Sequence, residues 1–177
     1  ITLCSFACII TISEGLPYHT DISKAIISSK NVFKKELLTA SYANALSKIK
    51  SSNYQAIITL PFYYQGSECF SRPRVYKTVT SSFIMSYHTG IPIVCANLTR
   101  TAVDESKKIV QIVSPAFYTK QIQFDIKSTK PFLVITTKDS LTAYEKEILN
   151  KCKLLYQSEE FSMYSLQQED LFQNNSL

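Results

Sequence analysis

Polar side chains of the kind that bind or transform a ligand follow three short apolar segments of the chain. These segments, at about residues 55–60, 91–96 and 132–137, are rich in β-branched residues and are typical of buried strands. In a parallel sheet, ligands bind at the carboxyl ends of the strands. The rule selects as candidate ligand-binding residues Tyr64, Gln65, Ser67, Glu68, Asn97, Arg100 and Asp139, with Tyr63, Thr99 and Lys138 beside them.

Glu68 and Arg100 are the charged members that could face each other across two loops. A carboxylate beside a guanidinium group, with tyrosine hydroxyls nearby, would form a polar pocket suited to a sugar. The same residues could instead form a salt bridge that ties the loops together, or be solvated separately. The residue types alone favour this structural interpretation over a ligand site.

No catalytic constellation is recognisable in the sequence. Ser67 directly follows Gly66, and the second Gly of a G-x-S-x-G nucleophile turn is missing. A Ser67–His88–Asp139 triad can be drawn, but any chain of this length offers such a set, and a Cys69–His88 pair is no better supported. Because phosphate-binding and H-E-x-x-H motifs are also missing, we expect neither a catalytic residue nor a cofactor.

The five cysteines do not predict a metal site or a disulfide framework. No C-x-x-C pair occurs, and Cys4 and Cys8 lie in an apolar run, which argues against zinc. Cys95 and Cys152 are interpreted as small buried hydrophobic residues at strand positions.

Composition indicates a globular domain that does not bind nucleic acid. The chain has 177 residues, 45% of them hydrophobic and 19% charged, enough for one domain with a substantial core. Its net charge is +5, but the basic residues are scattered and most have an acidic neighbour. A nucleic-acid interface requires a concentrated basic face, so a solvated surface is the better interpretation.

Helical periodicity alternates with the three apolar segments. Helices are predicted over about residues 41–50, 75–88 and 102–113, with Gly90 ending the second, and Thr101 with Asp104 starting the third. A further helix follows a Ser140 cap, and two short strands flank residues 158–160 as a hairpin. This order predicts an α/β fold, a three-layer sandwich with a mostly parallel sheet and a C-terminal antiparallel hairpin.

The first thirteen residues carry no charge and are too few to span a bilayer alone. The chain does not begin with Met, and polarity rises abruptly after residue 13. We therefore expect residues 1–13 to be the end of a truncated transmembrane helix, with a buried strand or helix as the alternative. Residues 14–40 are predicted to be a connector with short helices, residues 41–167 the α/β domain, and residues 168–177 a frayed tail.

Three stretches together resemble a known family of membrane proteins. ALSKIKSSNYQAIITLPFYYQGSE leads from a helix into a strand and a Gly-Ser-Glu loop, and TGIPIVCANLTRT forms a strand and turn. KPFLVITTKDSLTAYEKEILNKCKLLYQSEEFSMYSL closes with strand, helix and hairpin. Over about residues 42–166, this arrangement resembles the extracytoplasmic C-terminal domain of polytopic bacterial (Bacteroidetes-type) membrane proteins related to lipid-phosphosugar-dependent, mannosyltransferase-like glycosyltransferases.

The resemblance implies a non-catalytic accessory domain on the periplasmic side of a membrane-embedded parent. In that family, acidic residues in loops between early transmembrane helices do the chemistry, and this chain contains no such region. The implied partners are the membrane-embedded remainder of the parent and a glycan or lipid-linked sugar. Two alternatives stay open: a free-standing soluble hydrolase or transferase with Glu68, Arg100 and Asp139 in one pocket, and a protein-interaction module.

Overall fold

The computed structural model describes residues 2–29, 31–66, 68–98 and 100–172, with the backbone alone for residues 2–9 and 96. These residues form six α-helices and six strands. In chain order they are α1 (Thr2–Ser28), α2 (Ala40–Lys48), β1 (Ile57–Leu60), β2 (Tyr64–Gln65), α3 (Tyr76–Thr89), β3 (Ala96–Asn97), α4 (Val103–Val110), β4 (Phe132–Thr136), α5 (Ala143–Asn150), β5 (Lys153–Gln157), β6 (Ser162–Leu166) and α6 (Gln168–Phe172). Single turns of 3-10 helix lie at Lys35–Leu37, Ser51–Asn53, Gln111–Val113 and Gln121–Phe124.

The chain divides into two units, Ile1–Leu37 and Leu38–Leu177. The first contains α1, one helix that passes through Gly15 and Pro17. Residues 14–28 of the predicted connector with short helices thus belong to one helix in the structure. Pro17 lacks the N–H that the carbonyl of Ser13 would accept, but Ser13 is exposed, so water can satisfy that carbonyl. No helix in the described part of the chain is both long and apolar enough to cross a membrane.

The main sheet of the second unit has the strand order β1-β4-β6-β5. β1 and β4 are parallel, whereas β6 is antiparallel to both β4 and β5. The α/β class and the C-terminal hairpin are thus confirmed, but the sheet is mixed and its pairs are mostly antiparallel. The prediction of a mostly parallel sheet is wrong because β6 inserts beside β4, where a further parallel strand was expected.

The apolar segment at residues 91–96 pairs with two different strands, β1 near its start and β2 at its end. The N–H of Ile57 donates to the carbonyl of Pro92 (2.7 Å), and the N–H of Val94 donates to the carbonyl of Ile57 (2.9 Å). This single bridge places the segment at the free side of β1. Pro92 has no N–H to extend the ladder, and the chain continues into β3, which pairs in parallel with β2. The predicted strand is therefore present only as a bridge and a two-residue strand.

Both central strands are buried along their whole length. All four residues of β1 and all five of β4 are inaccessible or nearly so. Alternate residues of the two strands join one core cluster with Ile112, Val113, Ile148 and Leu171. Helix α3 contacts both β1 and β4, and α2 contacts α3. Continuous burial agrees with the largely apolar, non-alternating sequences of these strands, in which Thr59 and Thr136 are the polar residues.

Helix ends agree with the sequence in one case and differ in two. Gly90 ends α3 with a φ of 72°, as predicted. The N-cap of α4 is Ala102, and its side chain offers no cap, so the predicted Thr101 start is wrong. The N-cap of α5 is Thr142, not Ser140: its hydroxyl accepts from the N–H of Glu145, and the Glu145 carboxylate accepts from the N–H of Thr142.

Part of the segment predicted as a frayed tail forms a helix. Residues 168–172 form α6, and the apolar side chain of Leu171 is buried in the core cluster. Residues 173–177 lie outside the described part. The first half of the predicted tail is thus helical in the structure.

Glu145 links α5 to the segment after β1. The side chain is 2% exposed, and its carboxylate accepts from the N–H of Phe62 (2.8 Å), the N–H of Thr142 (2.8 Å) and the hydroxyl of Thr142 (2.9 Å). A buried carboxylate is tolerated only when such donors satisfy it. The Thr-x-x-Glu spacing was readable in the sequence, but its bond to Phe62 was not.

Replacing Glu145 with Ala should lower the free energy of unfolding by roughly 2–4 kcal/mol, because it leaves the buried N–H of Phe62 unsatisfied and removes a helix cap. Urea unfolding followed by circular dichroism measures this. Glu147→Ala, on the exposed side of the same helix, is the control and should change stability by less than about 0.5 kcal/mol. Equal losses in the two variants would contradict the role given to Glu145.

Candidate functional site

The first candidate site is a cavity at the carboxyl ends of β2 and β3. Parallel pairing of Tyr64 with Ala96 and of Gln65 with Asn97 makes the loops that follow the two strands neighbours. The cavity has a volume of about 450 Å³. Its lining combines an amide, a carboxylate, a guanidinium, a thiol and two hydroxyls, from Gln65, Gly66, Glu68, Cys69, Ser71, Arg100, Thr101 and Val103.

Thr101, which lines this cavity, belongs to a network of three hydroxyl groups. The hydroxyl of Tyr64 lies 3.0 Å from Oγ1 of Thr101 and 3.1 Å from Oγ of Ser106, and those two atoms are 2.9 Å apart. Tyr64 and Ser106 are fully buried. The predicted site residue Tyr64 therefore positions the wall of the cavity and does not face a ligand directly.

Gly66 brings the two loops together. Its carbonyl accepts from the N–H of Thr101 (2.6 Å) and from the Thr101 hydroxyl (2.8 Å). A Cβ atom at this position would lie 2.7 Å from Oγ1 of Thr101, closer than real Cβ contacts occur. Only glycine therefore permits this approach of the loops.

Glu68 and Arg100 line the same cavity, as the sequence suggested. In the described part of the chain, the ion pairs within 4.0 Å are Lys24–Asp21 and Lys108–Asp125, so Glu68 and Arg100 do not form the loop-tying salt bridge. Both side chains, together with the half-buried Gln65, present hydrogen-bonding groups to the cavity. This geometry can hold a polar ligand between two chain segments.

Asp139 lies in a different cavity, at the carboxyl end of β4. That cavity has a volume of about 490 Å³, and its lining includes Lys138 and Asp139 but neither Glu68 nor Arg100. The structure thus separates the three side chains that the soluble-enzyme alternative places in one pocket. Sequence reasoning missed the rest of the lining because it comes from helices and the hairpin tip. These residues are Tyr42, Tyr76, Lys77, Thr80, Ser81, Glu159 and Glu160.

The other predicted site residues have varied positions. Tyr63 is fully buried with its hydroxyl 3.0 Å from Oγ of Ser82, and burial raises its pKa to about 12. Asn97 is exposed at the end of β3. Ser67 and Thr99 lie outside the described residues, so their predicted roles are not tested.

Among the described residues, no group of three His, Cys, Asp or Glu side chains could hold a metal ion. Cys95 is buried with its Sγ 2.8 Å from Oγ1 of Thr59, and burial raises its pKa to about 11. Cys152 is half-buried directly before β5, and burial raises its pKa to about 12. Raised thiol pKa values disfavour the reactive thiolate form, consistent with packing roles for Cys95 and Cys152.

Lys120 is a buried cation for which the sequence contains no signal. It is 5% exposed, and Nζ donates to the carbonyl of Ile112 at 2.7 Å. Burial lowers its pKa to about 8; the charge of Lys151 acts in the same direction and that of Glu147 opposes it. An adjacent cavity of about 20 Å³ has room for one water molecule.

Replacing Gly66 with Ala should lower the free energy of unfolding by roughly 1–3 kcal/mol, because the new methyl group would push Thr101 away from the Gly66 carbonyl. Gly15→Ala is the matched control, since nothing lies within 4 Å of a Cβ built there. That variant, within a helix, should retain or gain stability. Urea unfolding of both variants tests the comparison; an unchanged Gly66→Ala would contradict the close approach.

Stability should rise with pH through the titration of Lys120. Its pKa falls from 10.5 to about 8 on folding, so the unfolded chain binds more protons between these values. Relative to Lys120→Met, the wild type should gain about 2 kcal/mol in free energy of unfolding between about pH 7 and 9.5. Lys127→Met, at an exposed position, is the control. A difference independent of pH would contradict the buried cation.

The described part of the chain thus offers two polar cavities at strand carboxyl ends, one around Glu68 and Arg100 and one around Asp139. Neither contains a histidine, and His88 lies in the last turn of α3, where it makes an edge contact with the ring of Tyr87. Compared with known proteins, the chain matches no family model and gives no significant match to a curated protein or a solved structure.

Proposed function

We propose that this chain is a non-catalytic, extracytoplasmic accessory domain of a membrane-embedded glycosyltransferase-like protein, and that the cavity around Glu68 and Arg100 holds part of a glycan acceptor. One observation carries the ligand part of the proposal. Gln65, Glu68 and Arg100, from two loops, line one cavity of about 450 Å³. The volume lies within the range of small-molecule sites.

The lining matches the chemistry of sugar hydroxyls. A guanidinium only donates hydrogen bonds, a carboxylate only accepts them, and an amide does both. Neighbouring hydroxyls of a sugar can therefore donate to Glu68 and accept from Arg100 at the same time. Because Glu68 and Arg100 are not paired with each other, these capacities are available to a ligand.

A preformed hydrogen-bond network beside the cavity supports the binding role. The Tyr64, Thr101 and Ser106 hydroxyls and the carbonyl of Gly66 fix the two loops before any ligand arrives. A site held in this way loses less conformational entropy on binding than one that must be ordered by its ligand. The exposed carboxylate and guanidinium then supply recognition of the ligand.

The parent protein and its location are inferred from the resemblance and from charge. The strand, loop and hairpin segments that carry the resemblance lie within the second unit. A net charge of +5 would help hold the domain against anionic lipid. The three-layer arrangement belongs to the same proposal, supported by burial of both central strands and by the contacts of α3 with them.

The glycan proposal is tested by titrating the full chain with a panel of neutral oligosaccharides, followed by ligand-observed NMR and calorimetry. We expect at least one to bind, and Glu68→Gln and Arg100→Gln each to weaken it by about tenfold through the loss of a charge-assisted hydrogen bond. Glu105→Gln and Arg74→Gln, exposed residues outside this cavity, serve as matched controls.

Two results would contradict the glycan role: no oligosaccharide binds, or the Glu68 and Arg100 variants bind as well as wild type while keeping its circular dichroism spectrum.

The membrane-embedded parent is tested separately by reading the coding sequence upstream of Ile1. Several apolar segments of about 20 residues there would support it. An upstream reading frame with none would contradict it.

A further inference from the structure

We propose that the cavity around Asp139 is a second binding site, for a small zwitterion with an ammonium and a carboxylate group, the chemistry of a free α-amino acid. None of its lining residues lines the cavity around Glu68. The inference is therefore independent of the proposed glycan role.

The sheet topology brings three segments to this place. Lys138 and Asp139 follow β4 after Thr137, and the pairing of Thr136 with Ser162 sets the tip of the β5–β6 hairpin beside the same strand end. The first half of α3 completes the wall. The resulting cavity of about 490 Å³ lies at the carboxyl end of a central strand, where α/β folds bind ligands.

Asp139 is held in position by a directed chain of hydroxyl groups. The hydroxyl of Thr137 donates to Oδ2 of Asp139 at 2.6 Å. Its only proton is thereby used, so the hydroxyl of Thr78, 2.7 Å away, must donate to Oγ1 of Thr137. Thr78 and Thr137 are both buried. The chain fixes one carboxylate oxygen and leaves Oδ1 of Asp139 for a ligand.

Glu160 and Tyr76 line the same cavity as Asp139 and can also contact the ammonium group of the ligand. The carboxylate of Glu160 accepts from the hydroxyl of Thr39 at 3.3 Å, and its charge adds to the effect of burial in raising the pKa of Tyr42. Tyr76 also lines the cavity and is 82% exposed. Carboxylates next to an accessible aromatic ring form a favourable environment for a primary ammonium.

Lys77 and Lys138 recognise the carboxylate group of the ligand. The cavity lining therefore holds two ammonium groups together with the carboxylates of Asp139, Glu159 and Glu160. Neither ion pair in the described part of the chain involves any of the five. A purely cationic or purely anionic ligand would meet repulsion from one set, whereas a zwitterion satisfies both. The volume leaves room for the side chain of an amino acid.

The experiment titrates the full chain with each of the twenty common amino acids by calorimetry. We expect at least one to bind with a Kd below about 1 mM. Its decarboxylated amine and its deaminated acid should each bind at least about tenfold more weakly, because each lacks one of the two recognised charges. Asp139→Asn, which retains the hydrogen bond from Thr137, should weaken the same amino acid by at least about tenfold.

Asp104→Asn, at an exposed position of α4, is the matched control and should bind as wild type does. The proposal is overturned if no amino acid binds, if either single-charge analogue binds as tightly as its parent amino acid, or if Asp139→Asn binds normally. Circular dichroism and urea unfolding of each variant separate lost binding from lost folding. Weakened binding by Asp104→Asn equal to that by Asp139→Asn would also count against it.

Discussion

The carboxylate of Glu145 lies where α5 begins, and it joins two parts of the chain that are 83 residues apart. A buried charge of this kind is costly unless every oxygen finds donors, and here backbone and hydroxyl donors supply them. The bond to Phe62 sets the direction of the chain as it leaves β1. Tyr63 and Tyr64 follow at once, so the position of β2, and with it the loop that carries Glu68, depends on this interaction.

Local chemistry was enough to predict several elements of the fold. The apolar runs of β1 and β4 and the glycine that ends α3 are properties of short segments, and the hairpin also required only neighbouring residues. The pairing order of the sheet was not predictable, because whether β4 meets a parallel or an antiparallel neighbour is decided by tertiary contacts. Pro17 misled for a related reason: its cost depends on whether the orphaned carbonyl reaches water, which the sequence does not show.

The candidate sites also contain residues that the sequence predicted and residues that only the tertiary structure reveals. Residues at strand ends were selected by a topological rule that listed them as one set; in the structure Glu68 and Arg100 line one cavity and Asp139 lines another. The groups that hold them are paired hydroxyls, such as Tyr64 with Ser106, from distant elements. Serine and threonine are common on surfaces, so nothing in a single sequence marks which of them meet in the interior. Sequence reasoning therefore identified some of the residues that line the cavities and, apart from Tyr64, missed the hydroxyl groups behind them.

The two edges of the main sheet, at β1 and at β5, are protected in different ways, and this bears on aggregation. On the β1 side, the bridge to residues 92–94 occupies the backbone of Ile57, which a strand from another molecule would otherwise reach. On the other side, β5 is the last strand of the described sheet; it carries the exposed charge of Lys153 and an irregular register between Leu154 and Tyr156. Charge and irregularity oppose the flat pairing that sheet-to-sheet aggregation requires. The domain can thus keep two fully buried apolar strands at its centre while offering neighbouring molecules little regular edge on which to add.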